Sequence, residues 1–145
     1  MSGMKDRRCD RSEMRQEAVS KQLAYIAKET DFDALVVSTS GGLKVGEMES
    51  RYESDELAAL GGLLWEMRNQ IDRFVNIKNI AGNTFVLENG SRYVCRFFEY
   101  RGEMLVLVGV TTHSDIDEEP VQRTITGVKR ILDSNPYGFP GQEDP

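Results

Sequence analysis

Few side chains in this 145-residue sequence could do chemistry, and they do not form a catalytic set. The only histidine, His113, could act as a general base, but no serine or cysteine nucleophile accompanies it in any known motif. A surface histidine near the start of a helix is the better interpretation. Cys95 alternates with Tyr93 and Phe97, and this pattern favours a buried thiol that packs as a small hydrophobic residue over a reactive one.

Two further segments have the composition of ligand sites without their spacing. Residues 40–46, SGGLKVG, lack the Gly-Lys-Ser/Thr ending of a phosphate-binding loop, and a strand instead of a helix is predicted after them. The acidic residues before the last helix lack the glycine and the distal glutamate of a calcium loop. They are Asp115, Asp117, Glu118 and Glu119. We interpret the glycines as turn residues and the acids as a solvated segment that complements a helix dipole. The sequence therefore predicts no catalytic residue, no cofactor and no metal ligand.

Charge and composition exclude other classes of function. The net charge of −6 argues against nucleic acid as the main partner, because binding to phosphates needs clustered lysine and arginine. There is no run of about 18 apolar residues, and residues 1–15 do not resemble a signal peptide. Two cysteines provide neither a disulfide framework nor a metal spacing. We therefore expect one soluble cytoplasmic domain without membrane insertion.

The first half of the chain predicts a helix followed by a hairpin. Residues 1–11 are polar and are expected to form a mobile arm, and Asp10-Arg-Ser-Glu13 has the form of a capping box. The apolar residues that follow recur at helical spacing to about Thr30. An apolar run at 34–37, a glycine turn and an alternating segment at 43–47 then indicate two strands.

The clearest predicted helix spans residues 54–73, with Ser54 as its N-cap. One apolar stripe consists of Leu57, Leu60, Leu64, Met67 and Ile71, and a second of Ala58, Gly61, Gly62 and Trp65. Glycine inside a helix costs about 1 kcal/mol relative to alanine. Two glycines in succession therefore indicate that another backbone comes close, although a simple helix kink is the alternative.

The second half predicts a three-strand meander and a last helix. A polar loop at 76–83 leads to a strand at 84–88, and turns at Asn89-Gly90 and Arg101-Gly102 separate the next two strands. The apolar strand 103–112 should lie at the centre of the sheet. The element order α-β-β-α-β-β-β-α predicts an α/β (α+β) domain over residues 12–133, with a profilin-like five-stranded antiparallel sheet and helices on both faces. The proline-bearing residues 134–145 are expected to form a flexible tail.

This order and three residue patterns resemble the roadblock family of dynein light-chain-related proteins. Residues 34–45, ALVVSTSGGLKV, are similar to that family's opening hairpin, and residues 54–64, SDELAALGGLL, resemble its central helix. Residues 85–110 are similar to its closing meander. The likeness covers residues 13–133, and the polar insert 76–83 and the tail depart from the family pattern.

The resemblance implies a homodimer or heterodimer formed by the central helix and the edge strand of the meander. It also implies a regulator or scaffold for small Ras-like GTPases, or a subunit of a motor or transport assembly. The expected dimer interface comprises Ala58, Gly61, Gly62, Leu64, Trp65, Thr84, Phe85, Val86 and Leu87, and the expected partner contacts are Arg68 and Arg73. The alternative is a ligand-sensing module of the profilin-like, PAS or GAF kind, which would need a roomy pocket.

Overall fold

The computed structural model describes residues 7–28, 32–48, 50–112 and 118–134, with side chains from residue 16 onward. His113, Asp115 and Asp117 lie outside the described residues, as do residues 1–6 of the expected arm and residues 135–145 of the expected tail.

Within these described ranges, three helices and five strands follow one another in the predicted order. The elements are α1 (Arg7–Ala27), β1 (Phe32–Thr39), β2 (Lys44–Glu47), α2 (Ser54–Val75), β3 (Gly82–Val86), β4 (Arg92–Tyr100), β5 (Glu103–Thr111) and α3 (Glu118–Ser134). Gly42 and Gly90 have positive φ values of 89° and 92° in the β1–β2 and β3–β4 turns, a conformation that glycine adopts without strain.

The strands form one antiparallel sheet in the order β2-β1-β5-β4-β3. The most apolar strand, β5, lies at the centre as predicted, where it pairs with β1 and β4. The two edges of the sheet are therefore β2, a four-residue strand, and β3, a five-residue strand.

Alternation along the central strands divides the core into two layers. The side chains of Leu35 and Val37 in β1 point to the face that α1 and α3 cover. There they pack with buried side chains of both helices. Ala34 and Val36 point to the opposite face, which α2 covers. Because successive side chains of a strand point to opposite faces, both layers are built from the same strands, and both are well buried.

The helix ends differ from the sequence expectation. The first helix begins at Arg7, before the predicted capping box, and ends at Ala27 instead of Thr30. The N-cap of α2 is Glu53, which makes no side-chain capping hydrogen bond. Ser54 is instead the first helical residue, and its hydroxyl accepts a hydrogen bond from Lys44 Nζ at 3.1 Å. The prediction of Ser54 as N-cap is therefore wrong.

Candidate interaction surface

The small residues of α2 face the chain's own sheet. A Cβ atom added at Gly61 would lie against Ser38 Oγ and 3.4 Å from Val106 Cβ. One added at Gly62 would lie 3.0 Å from the backbone of Gly42, in the β1–β2 turn. The close backbone that the glycines indicated is thus present, but it belongs to the same chain.

This orientation corrects the predicted dimer interface on α2. Ala58 and Leu64 are only 1% and 2% exposed, since both belong to the core layer between α2 and the sheet. Gly61 is buried with them. A second helix cannot reach Ala58, Gly61 or Leu64 without displacing α2 from its own sheet, so these residues are core residues.

Trp65 and Arg68 also contact their own chain. The Trp65 ring meets the Phe97 ring of β4 edge-on, with centroids 5.5 Å apart. The Arg68 guanidinium lies 4.7 Å from the Trp65 centroid, and its Nε donates a hydrogen bond to the Ile80 carbonyl oxygen at 2.9 Å. Arg68 therefore joins α2 to the segment before β3, and its expected role as a partner contact stays a prediction. Arg73 is exposed, as that role requires.

A different flank of α2 carries exposed apolar side chains. Leu63, Met67 and Phe74 are 61%, 40% and 77% exposed. Residues spaced by three, four or seven positions lie on the same side of a helix, so these three form one stripe. The half-buried Leu60 and Ile71 lie on its sheet-facing side. The sequence analysis missed this stripe because Met67 fits the spacing of the core stripe equally well.

The edge strand β3 presents exposed side chains and, on its outer side, backbone groups that no other described strand pairs with. Phe97 N–H donates to the Ala81 carbonyl, and Leu87 N–H donates to the Ser91 carbonyl, each at 2.8 Å. Backbone groups alternate in direction along an antiparallel edge, so the N–H and C=O groups of Thr84 and Val86 point away from β4. The exposed side chains Phe85, Val86 and Leu87 follow the same edge.

Phe85 also lies on the face of the sheet that α2 covers. It pairs directly with Tyr93, and directly paired residues of neighbouring strands share a face. Tyr93 packs at the margin of the α2 core layer. The exposed flank of α2 and part of the β3 edge are therefore presented on one side of the sheet. We call Leu63, Met67, Phe74 and residues 84–87 the α2–β3 surface.

The other edge strand, β2, is capped by side chains of α1. Ser20 Oγ accepts a hydrogen bond from Glu47 N–H at 3.0 Å, and Gln16 Nε2 donates to the Lys44 carbonyl at 3.5 Å. These two contacts occupy backbone groups that an added strand would need. The two edges thus differ, because side chains of α1 hydrogen-bond to the outer backbone groups of β2.

A shallow groove of about 660 Å3 lies where residues 77–84, β4 and α3 meet. Arg96 crosses it to hydrogen-bond Glu118 Oε1, and this contact holds the pKa of Glu118 below its ordinary value. Glu118 and Glu119 lie in the first turn of α3, as the dipole argument predicted. The described residues that line the groove include no serine, cysteine or histidine to accompany this ion pair.

The remaining chemical candidates are consistent with a structural role. Cys95 is buried in the α2 core layer as predicted, and burial raises the pKa of its thiol to about 12. Residues 40–42 form the β1–β2 turn. In the part of the chain that the structure describes, no group of three histidine, cysteine or acidic side chains is placed to hold a metal ion. The described helices include none that is both long and apolar enough to cross a membrane.

Comparison with known proteins finds similar structures but no match by sequence. No protein-family model and no curated protein matches the sequence. The structure is similar to that of MglB from Myxococcus xanthus, with a TM-score of 0.66 and 8% identity over 87% of this chain and 94% of that one. A gliding protein MglB from Thermus thermophilus gives a TM-score of 0.64 and 15% identity, covering 81% of this chain and 90% of that one.

A Roadblock/LC7 domain from Streptomyces avermitilis gives a TM-score of 0.63 and 13% identity, covering 77% of this chain and 92% of that one. The element order, the antiparallel five-stranded sheet and the helices on its faces agree with these structures. The chain therefore has a roadblock-type fold, as the residue patterns of its hairpin, central helix and meander indicated.

Proposed function

We propose that this protein is a non-enzymatic, dimeric adaptor or regulator that binds other proteins in the cytoplasm. The observation that carries the proposal is the α2–β3 surface, which combines an exposed apolar stripe with an open sheet edge. Contiguous exposed apolar side chains mark protein–protein contact sites. An open edge strand is a template for pairing with another chain.

In the proposed dimer, β3 pairs with the β3 strand of a second copy, and the two sheets become continuous. The two α2 helices then pack antiparallel through Leu63, Met67 and Phe74. Burial of apolar surface supplies the main driving force, at about 25 cal/mol per Å2 removed from water. Residues 84–87 keep the place in the interface that the sequence analysis gave them, whereas the α2 contribution moves from the glycine stripe to its exposed flank.

The proposed partner of the dimer is a small Ras-like GTPase or a subunit of a motor or transport assembly. This part of the proposal is supported by the resemblance to the roadblock family and by the likeness to MglB and Roadblock/LC7 structures. Arg73 is our proposed contact because arginine is enriched in protein interfaces and this one is exposed on α2.

Substitutions at Val86 test the pairing of β3. Val86→Pro removes an N–H group that points away from β4, so the monomer keeps its own ladder while a partner strand loses a donor. Val86→Ala keeps the N–H group and is the matched control. By light scattering at tens of micromolar, we expect a dimer for the wild type and Val86→Ala and a monomer for Val86→Pro. A Val86→Pro protein that dimerises like the wild type would remove β3 from the interface.

Substitution of Met67 tests the helix half of the surface. Met67→Glu places a charge in the centre of the apolar stripe and should give a folded monomer. Leu43 is exposed to a similar degree as Leu63 but lies near the β1–β2 turn, so Leu43→Glu should leave the dimer intact. Equal behaviour of the two variants would contradict the proposed interface.

Capture from native cell extract tests the partner class. The wild-type protein should retain a small GTPase, and Arg73→Ala should retain less of it without a change in dimerisation. Capture of no GTPase by the wild-type dimer would reject this partner class and leave the motor or transport subunit as the alternative.

A further inference from the structure

Two side chains of α2 contact the segment that leads into β3. Asp72 forms an ion pair with Lys78 at 3.0 Å, and Arg68 reaches further along the segment, to Ile80. Arg68 donates from Nε to the Ile80 carbonyl oxygen at 2.9 Å, and its guanidinium lies 4.7 Å from the Trp65 centroid and 5.8 Å from that of Phe97. The stack on two aromatic rings, which also contact each other, restricts the direction of the guanidinium. The hydrogen bond to Ile80 is therefore made from a fixed position.

A second arginine holds the same segment from the α3 side. Arg96 pairs with Gly82, the first residue of β3, and its side chain lies across that glycine. A Cβ atom added at Gly82 would lie 2.7 Å from Arg96 Cδ and would overlap the Cys95 carbonyl oxygen. Arg96 also donates from Nη1 to the Cys95 carbonyl at 2.8 Å and from Nε to Glu118 of α3 at 3.1 Å. The Arg96 guanidinium is thus held by hydrogen bonds to Cys95 of β4 and to Glu118 of α3.

We propose that Arg68 and Arg96 are positioning residues for the β3 edge, and that they set the place and direction in which this strand is offered to a partner. β3 is an edge strand that pairs with β4, and no other described strand lies on its outer side. The two arginines act on residues 80–82 from opposite faces. The inference deepens the proposed function and rests on it for the identity of the partner strand.

The chemistry of arginine explains why this role depends on side-chain geometry as well as on charge. The planar guanidinium can stack on a ring and donate hydrogen bonds within its own plane, whereas a lysine ammonium is a strongly hydrated point charge. Arg68→Lys therefore preserves the charge but loses the stacked direction of the donor. Arg68→Met preserves much of the apolar stem and loses the donor entirely. Arg73→Met is the control, because Arg73 is an exposed arginine on the same helix.

Hydrogen exchange of three backbone amides distinguishes positioning from general stabilisation. The Phe97 amide is bonded to Ala81 and reports on the start of β3, and the Leu87 amide reports on its end. The Met48 amide, bonded to Leu35, reports on the opposite edge. We expect exchange of the Phe97 amide to be about tenfold or more faster in Arg68→Lys, Arg68→Met and Arg96→Met. This is the effect expected when a hydrogen bond made by a charged group is lost. Exchange at Met48 should not change, and Arg73→Met should change none of the three.

Two results would overturn the inference. One is unchanged exchange at Phe97 in both Arg68→Lys and Arg96→Met, and the other is an equal acceleration at Phe97 and Met48, which is the signature of global destabilisation. The dimer dissociation constant of the two variants should also rise about tenfold or more, in parallel with exchange at Phe97. If light scattering shows that the wild type is a monomer, the proposed dimer fails, while the exchange rates still decide whether the arginines position β3.

Discussion

Ser38 and Gly61 meet at the contact between β1 and α2, where there is no room for another atom. Ser38 is fully buried and its hydroxyl makes no hydrogen bond with the described residues, a condition that costs about 1–3 kcal/mol. We expect Ser38→Ala to raise the free energy of unfolding by about 1 kcal/mol, measured by urea denaturation.

The same contact predicts the effect of a methyl group at Gly61. Gly61→Ala should destabilise the monomer by about 1–3 kcal/mol through overpacking against Ser38, despite the better helix propensity of alanine. The double variant Ser38→Ala/Gly61→Ala should recover most of this loss, because the atom that the methyl group overlaps is gone. Additive effects of the two substitutions would contradict this account.

The buried thiol of Cys95 gives a prediction about pH. Burial raises its pKa from 9.0 to about 12, so the folded chain keeps its proton at pH values where the unfolded chain has lost it. The contribution of this group to stability is thus complete below pH 9 and decreases as the pH rises towards 12. In a Cys9→Ser variant, a thiol reagent at about pH 8 should label Cys95 only at the rate of unfolding. Rapid labelling of the folded protein would show that the thiol is accessible.

At the scale of elements, the two edge strands differ because α1 caps one of them. Ser20→Ala removes the acceptor of Glu47 N–H and should lower the free energy of unfolding by about 1 kcal/mol or less, without weakening the dimer. Ser134→Ala is the control, since the Ser134 hydroxyl donates to the Ile131 carbonyl within the last turn of α3. A weakened dimer in Ser20→Ala would show that the β2 edge also takes part in association.

Local sequence signals were sufficient to predict the elements of the fold. The Asn89-Gly90 turn, the glycines at 41–42 and the two-sided apolar strand β5 depend on backbone conformation and alternation, which act within a few residues. The orientation of α2 could not be obtained in this way. The buried face takes residues from both predicted stripes, Leu57 and Leu64 from one and Ala58 and Gly61 from the other. This orientation depends on contacts with Ser38 and the β1–β2 turn, which are distant in sequence.

The roles of the arginines were unpredictable for the same reason. Arg68 and Arg73 have the same side chain on the same helix, and the sequence analysis assigned both to partner contact. Only the fold brings the Ile80 carbonyl and the rings of Trp65 and Phe97 to Arg68, while Arg73 stays exposed. The edge position of β3, by contrast, was predictable, because it follows from a meander whose last strand is central.

At the scale of the whole molecule, a dimer that forms through the α2–β3 surface would link stability to protein concentration. A folded species that associates is favoured by mass action over an unfolded chain that does not. We therefore expect the thermal midpoint of the wild type to rise when its concentration increases from about 1 to about 100 times the dimer dissociation constant, by an amount equivalent to about 2.7 kcal/mol or less.

The variants of the α2–β3 surface provide the control for this effect. Met67→Glu and Val86→Pro should have midpoints that do not depend on concentration, and Leu43→Glu should behave like the wild type, because its exposed side chain lies near the β1–β2 turn. At low concentration, where all four proteins are monomers, Met67→Glu should melt close to the wild type, since Met67 is 40% exposed in the monomer. A concentration-dependent midpoint that persists in both surface variants would place the association elsewhere on the molecule.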